Sequence, residues 1–359
     1  MGTSGDYAPF SHRADTAQSG AVWARGLDIE LAEAFVRDSG RALRLVEFTW
    51  VALLRDLTAH DFDVAMSGVT VRPDRSLTGR FSVPVAQSGA VLLVRESDAA
   101  GGLAELERSG TAIAVNRGGH LERVIRARFP NASVRPIERN QDVLAELIEG
   151  RATAVASDTL EAPHWLARVE GVVALGPFTR DDKAFLVRAD RPELARELDA
   201  WLLARERDGT LAKLRARHFG PGDWPRTATP QAALDAARRE RLALMPLVAE
   251  AKRRSGAPVE DLARERKVLD AAALGVERSA RLRAVEPPDE ADIRRFFETQ
   301  IADAKQLQHA FLAAPPNPAL EPADLAKQIR PALIRIGDRI AMLLVERSLE
   351  APGTRASER

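Results

Sequence analysis

Three places in this sequence carry residue types and spacings that could do chemistry. The run SGVTVRPDR (67–75) offers the hydroxyls of Ser67 and Thr70, the backbone N–H groups around Gly68 and the forked guanidinium of Arg75. Several donors and a forked cation suit a carboxylate, although spacing alone fits an ordinary strand-to-loop turn as well. The run NRGGH (116–120) sets paired glycines before a helix expected from His120 through Arg128. A glycine-rich turn at a helix N-terminus is an anion site by geometry and dipole, and also a common βα turn. In the last third of the chain, Arg241 and Lys252 stand about three helical turns apart on one face. That stripe also carries Leu234, Ala237, Met245 and Val248. An unpaired buried charge costs several kcal/mol, so these cations either snorkel outward or meet an anion inside.

Other chemistries are excluded. The chain has no Cys, which removes disulfide scaffolds, thiol nucleophiles and thiolate metal sites. Its six His show no HxH or HExxH spacing, so no metal and no cofactor is expected. Lys+Arg and Asp+Glu both number 52, and this balance argues against nucleic-acid or anionic-membrane partners. The uncharged run 81–94 contains Pro84, Gln87 and two Ser, too short and polar to span a bilayer.

The elements that would hold these groups change character near Pro225. Before it, short apolar runs (RLVEF, FDVAMSG, AVLLV, TAIAV, ATAVAS, KAFLV) alternate with helical stretches, the pattern of an α/β architecture. After it, long helix-period segments take over. Residues 1–225 carry 29 basic and 32 acidic residues, and residues 226–359 carry 23 and 20, so the charge balance changes sign at the same place. The segment FGPGDWPRTATP (219–230) reads as the linker. A first helix should start at Thr229 as N-cap with Pro230 at its first position and run to about Arg254, kinked at Pro246. The next should open with PVEDLARERKVL (258–269), Pro258 near its first position. A third, about 290–311, would share Phe297, Ile301, Ala304 and Gln308 on one face. A fourth, about 322–349, would pack through Leu325, Ile329, Leu333, Ile336, Ile340 and Leu343. A Pro-rich connection, AAPPNPALEP (313–322), precedes it.

The segments GTSGDYAPF (2–10), GLDIELAEAF (26–35), FTWVALLRDL (48–57), FDVAMSGVTVRPDR (62–75) and FSVPV (81–85) occur in an order that resembles the periplasmic solute-binding fold of amino-acid-binding type. Within that fold they look most like cyclohexadienyl dehydratases. The resemblance covers about residues 1–225 and implies two lobes clamping a ligand, about 1–90 plus 185–225 and about 91–184. It implies that Ser67, Gly68, Thr70 and Arg75 take the ligand carboxylate and that Tyr7 and Trp50 form aromatic walls. Asn116, Gly119 and His120 would form a second anion motif. His120 stands where the family usually has Thr, and either donates to substrate or serves as a helix N-cap residue. In ASDTLEA (156–162), Asp158 matches the residue that grips a ligand ammonium. Glu161 matches the general acid that protonates the departing hydroxyl as prephenate loses CO2 and water; by position alone it would be a solvated glutamate in a first helical turn. Lys183, in DDKAFLV, matches a lysine common near the cleft, or is a solvated charge at a strand start.

Arg241, Lys252, PVEDLARER and FFETQIADAKQLQ (296–308) resemble the AroQ-type all-helical chorismate mutases of the exported subclass over about residues 228–349. The match implies that Arg241, Lys252, Arg264 and Gln308 line a site, that Glu265 meets a substrate hydroxyl, and that Asp261 supports from nearby. Arg330 would add a carboxylate contact, and Ala304 replaces a residue that is often polar in relatives. The expectation is a periplasmic, cofactor-free bifunctional enzyme taking chorismate to prephenate and prephenate to phenylpyruvate, or arogenate to phenylalanine. Its partners would be those small molecules and a second copy bound through residues 226–359. The competing expectation is an aromatic amino-acid or keto-acid binding module fused to a mutase that alone is catalytic. The opening MGTSGDYAPF enters strand-like sequence at once and fits either a cytosolic protein or a mature form with an added Met; the resemblance to exported families implies the second.

Overall fold

The computed structural model describes residues 1–14, 23–108, 110–315 and 320–350. The central part of the Pro-rich connection, 316–319, lies outside the described residues. The chain forms two α/β lobes followed by a helical region, and it divides into two compact units that interleave in sequence. The first comprises Met1–Val71, Pro84–Arg191 and Ala204–Arg226; the second comprises Arg72–Val83, Pro192–Leu203 and Thr227–Arg359.

In the first unit, one lobe is built on strands Val46–Glu47, Gly2–Thr3, Val64–Ala65 and Leu186–Arg188, in that order. The first three are parallel and the last returns antiparallel. The other lobe has five strands in the order Ser133–Ile137, Ala112–Asn116, Ala154–Asp158, Ala90–Arg95, Val172–Leu175. Ala90–Arg95 runs antiparallel to both its neighbours. The two crossings between lobes pair with each other as Ala86–Ser88 and Asp181–Lys183. The uninterrupted apolar runs of the second sheet follow from burial on both faces. Val91, Leu93, Ala114 and Val155 pack on one side with Val143, Leu147 and Trp165. Leu92, Val94, Ile113 and Val115 pack on the other with Ile125 and Phe129. All six expected strand runs contain strands, with KAFLV divided between two short ones.

In the second unit, helix Arg330–Glu350 packs against Pro230–Ala243 and Leu262–Leu282, and Glu290–Ala313 packs against Met245–Ser255. Thr229 caps the first of these helices by accepting from the Ala232 amide at 3.3 Å, as expected. The expected continuous helix to Arg254 is instead two helices, divided at Leu244. Pro246 has no N–H to continue the ladder, and the chain restarts rather than bends. Pro258 is not a helix start: Asp261 is the cap, accepting from the Arg264 amide at 2.9 Å, so PVE lies outside the helix. The last helix opens later than expected, through a π-helical turn Leu325–Ile329 capped by Asp324.

The segment 72–83 is tied into this unit by buried polar bonds. Arg335 donates to the carbonyls of Ser76 and Leu77 at 2.9 Å and Gly79 at 3.1 Å. Arg339 bonds the Phe81 carbonyl and the Glu240 carboxylate, which also accepts from Ser76 Oγ at 2.8 Å. Asp199 accepts from the Val83 amide at 2.7 Å, and burial pushes its carboxyl up to about 7. Arg339→Met would leave Glu240, 5% exposed, without its counter-charge. Stranding one member of a buried pair costs about 3–5 kcal/mol, so a lower urea midpoint with an unchanged slope is the expected result.

Candidate functional site

The first unit gathers most of the dehydratase-like residues into one buried polar cluster. Gly68 follows strand Val64–Ala65 with φ 62°, and an added Cβ would lie 2.5 Å from the Tyr7 ring and 2.7 Å from Phe10. Only glycine lets this loop pass under the two rings. The Gly68 amide donates to Asp28 at 2.7 Å, and Ser67 Oγ bonds Ser4 through its amide at 3.1 Å and its hydroxyl at 2.8 Å. Both groups hold the loop in place. Burial pushes the Asp28 carboxyl up to about 7, against the pull of the Gly68 amide and Lys183.

Lys183 Nζ donates to Tyr7 OH at 2.8 Å and Thr70 Oγ1 at 3.0 Å, and stands 3.0 Å from Asp158 Oδ2. Tyr7 OH in turn donates to the same carboxylate. Trp50 stacks edge-on to Tyr7 at 6.0 Å and donates to Asp6 at 3.2 Å. Asp6 accepts from the Asn140 amide at 3.0 Å, so one carboxylate links the two lobes. Lys183 is therefore a buried, bonded group at 4% exposure rather than a solvated strand end.

Glu161 directly precedes the short helix Ala162–Leu166 and is 1% exposed, which removes the solvated reading. Asn140 Nδ2 reaches its Oε1 at 2.5 Å, and Ser157 Oγ lies 2.9 Å from Oε2. Burial, then the neighbouring Asp158, pushes the Glu161 carboxyl well above its usual range, more than Ser157 and Asn140 pull it back. Asp158 goes the other way. Burial would raise it, but Lys183, the Tyr7 hydroxyl and the amides of Glu161 and Leu160 hold it below the usual carboxylate range. Two adjacent carboxyls whose environments drive them apart supply one proton donor and one fixed anion.

Asn116 is buried at the end of its strand, and its Nδ2 has no partner among the described residues. Helix His120–Arg128 forms where expected, but its cap is Gly119, so His120 is the first helical residue and not the N-cap. His120 Nε2 meets Asp181 at 2.9 Å, and Thr179 holds the other oxygen of that carboxylate at 2.7 Å. Arg75 is fully buried in helix Pro73–Thr78, within the second unit, whereas Ser67, Gly68 and Thr70 belong to the first. Sequence reasoning missed Asp6, Asn140 and Asp181. Each lies far along the chain from the group it serves, and no local motif marks it.

In the second unit, a cavity of about 320 Å³ is lined by all seven mutase-like residues, Arg241, Lys252, Asp261, Arg264, Glu265, Gln308 and Arg330, and by Ala304. With Lys267, Lys305 and Asp338, six cationic and three acidic side chains face it, and Met245, Val248, Phe297, Ile301 and Leu333 supply apolar wall. Lys252 Nζ donates to the Val259 carbonyl at 3.0 Å. Gln308 is buried and donates to the Ala304 carbonyl at 3.1 Å, while its Oε1 has no partner among the described residues. Arg241 donates to the Leu333 carbonyl at 3.4 Å, and its Nε has none either. Burial, then Arg264, lowers the Arg241 guanidinium to about 10. Burial also lowers Lys252, against Asp261, Glu260 and Glu265. Lys305, also missed, holds both oxygens of Glu265 at 3.2 Å. A cavity with excess positive charge and an unsatisfied guanidinium donor on Arg241 suits a compact anion.

Residues 1–221 match the bacterial extracellular solute-binding proteins, family 3. A cyclohexadienyl dehydratase of Pseudomonas aeruginosa is 29% identical over 231 residues, covering 63% of this chain and 83% of that protein. An L-cystine-binding protein of Escherichia coli is 24% identical over 222 residues, covering 61% and 82%. The crystal structure of an ancestral amino acid-binding protein, a precursor of cyclohexadienyl dehydratase, is similar at 31% identity and TM-score 0.56, covering 61% of this chain and 93% of that one. With the match spanning both lobes and more than half its length, the chain belongs to the bacterial extracellular solute-binding proteins, family 3.

Proposed function

We propose that the chain is a periplasmic bifunctional enzyme, with residues 1–225 as a cyclohexadienyl dehydratase and 226–359 as a chorismate mutase. The observation that carries the first assignment is Glu161, 1% exposed and bonded to Asn140 and Ser157, where burial and the neighbouring Asp158 push its carboxyl well above the usual range while Lys183 and Tyr7 hold Asp158 below it. Prephenate breaks its ring C–CO2 bond, the electron pair enters the ring, and the C4–O bond breaks as Glu161 gives its proton to the oxygen. The products are CO2, water and phenylpyruvate; arogenate would give phenylalanine by the same steps. The ionised Glu161 then recovers a proton from water. Similarity to a cyclohexadienyl dehydratase supports this reading.

The second assignment rests on the cation-lined cavity. Chorismate rearranges to prephenate in one pericyclic step and needs no acid or base. Arg241, Arg264 and Arg330 would bind its two carboxylates, and Lys252 and the Gln308 amide would stabilise charge growing on the ether oxygen. Glu265, held by Lys305, would meet the ring hydroxyl, with Asp261 in support. The product of this step is the substrate of the other, and the pairing strengthens both. A homodimer through 226–359 is part of the proposal.

A receptor reading is favoured by one observation, the 31% identity to an amino acid-binding protein over the same lobes. Supplying the purified chain with chorismate separates the two. Enzymatic formation of phenylpyruvate at neutral pH is the expected result. Conversion that stops at prephenate makes the lobes a receptor, and no loss of chorismate removes the mutase.

A further inference from the structure

An ammonium has three N–H donors, and three oxygens surround that of Lys183: Tyr7 OH at 2.8 Å, Thr70 Oγ1 at 3.0 Å and Asp158 Oδ2 at 3.0 Å. Asp158 is filled in turn. A carboxylate offers about four lone-pair sites. Oδ1 takes the amides of Leu160 and Glu161 at 2.9 and 3.0 Å, and Oδ2 takes the Tyr7 hydroxyl and Lys183. Both side chains are almost fully buried. The cation that balances this carboxylate is thus already part of the chain. Of the other carboxylates, Asp181 is held by His120 and Thr179 and Asp6 by Trp50 and the Asn140 amide; Asp28 takes the Gly68 amide at Oδ2 only, its Oδ1 has no bond among the described residues, and burial pushes its carboxyl up to about 7.

A ligand ammonium entering here would meet no open lone pair on Asp158 and would set a second positive charge beside Lys183. A like charge in a desolvated site is a strong element of rejection. A 2-oxo group has the opposite demand. It is an acceptor, and the Tyr7 hydroxyl, or one N–H of Lys183 turned from Thr70 while its ammonium stays beside Asp158, gives it a donor without uncovering a charge. We infer that this cleft selects 2-oxo acids over 2-amino acids of the same side chain, with Lys183 as the residue that sets the choice. The inference deepens the proposed dehydratase reading, favouring prephenate over arogenate, and relies on that reading only for the identity of the side chain.

Calorimetric titration of the full chain with matched pairs tests it: phenylpyruvate and phenylalanine, 4-methyl-2-oxopentanoate and leucine, 2-oxoglutarate and glutamate. Every pair that binds is expected to favour the oxo acid by ~10-fold or more. Lys183→Met, which opens Asp158 Oδ2, is expected to move the ratio towards the amino acid by a similar factor. The wild-type comparison decides alone if the variant does not fold. An amino acid bound as tightly as its oxo partner, or no binding by any of these compounds, overturns the inference. The dehydratase reading fails separately: a clear oxo preference with no turnover of prephenate, or with a non-aromatic side chain bound best, would sink that reading and leave this inference standing.

Discussion

Glu161→Gln is expected to stop phenylpyruvate formation and let prephenate accumulate from chorismate at an unchanged rate. General acid catalysis contributes typically 10²–10⁴-fold, so dehydratase turnover should fall by about that factor. Gln keeps the size and can still bond Asn140 and Ser157, so binding should survive. The pH profile adds an independent readout. The acid must be protonated to act, and burial holds it protonated well above the usual carboxylate range. Dehydratase kcat should therefore fall as pH rises through that raised value, while the mutase step stays flat there. Stability follows the same sign. The unfolded chain releases this proton near the ordinary value and the folded chain only at higher pH. Between the two, the folded form holds one more proton, and stability falls with rising pH. Thermal melts of Glu161→Gln should lose that part of the dependence. Prephenate turnover unaffected by the substitution would end the assignment.

Lys252→Ala is the counterpart in the helical unit. Its ammonium is fixed by the Val259 carbonyl at 3.0 Å and faces the same cavity as Gln308. Removing one preorganised donor from a developing oxyanion costs about 2.7–4 kcal/mol, or 10²–10³-fold in kcat. Chorismate consumption should drop by that factor, with prephenate supplied directly still converted at the wild-type rate. Burial lowers the Lys252 ammonium, so mutase activity should begin to fall at a lower alkaline pH than an ordinary lysine would dictate. A wild-type mutase rate in this variant would mean that the cavity does other work.

Much of the architecture was legible locally. Apolar runs such as AVLLV and TAIAV announced strands buried on both faces, and Thr229–Pro230 announced a helix start, because these depend on neighbours within a few residues. Of the seven charged and amide residues that line the helical cavity, spacing marked only Arg241 and Lys252, and it placed them on one continuous helix that the break at Leu244 divides; the other five were named by the resemblance to helical mutases alone. Helix boundaries near Pro246 and Pro258 were not, because whether the chain bends, breaks or caps depends on which neighbour takes the freed carbonyls.

In the lobes, residue identity alone left Glu161 undecided between a solvated helix start and an acid, and Lys183 between a surface charge and a cleft residue. The amino-acid order determined which groups exist and on which strand ends and helix faces they sit. Only the tertiary structure decided their protonation and pairing. It brought Asn140 to Glu161 across 21 positions, Tyr7 to Asp158 across 151 and Tyr7 to Lys183 across 176, and sealed the cluster from water. Desolvation and the sign of the nearest charge set a carboxyl's pKa, and both are properties of what surrounds it in space, which spacing along the chain does not encode.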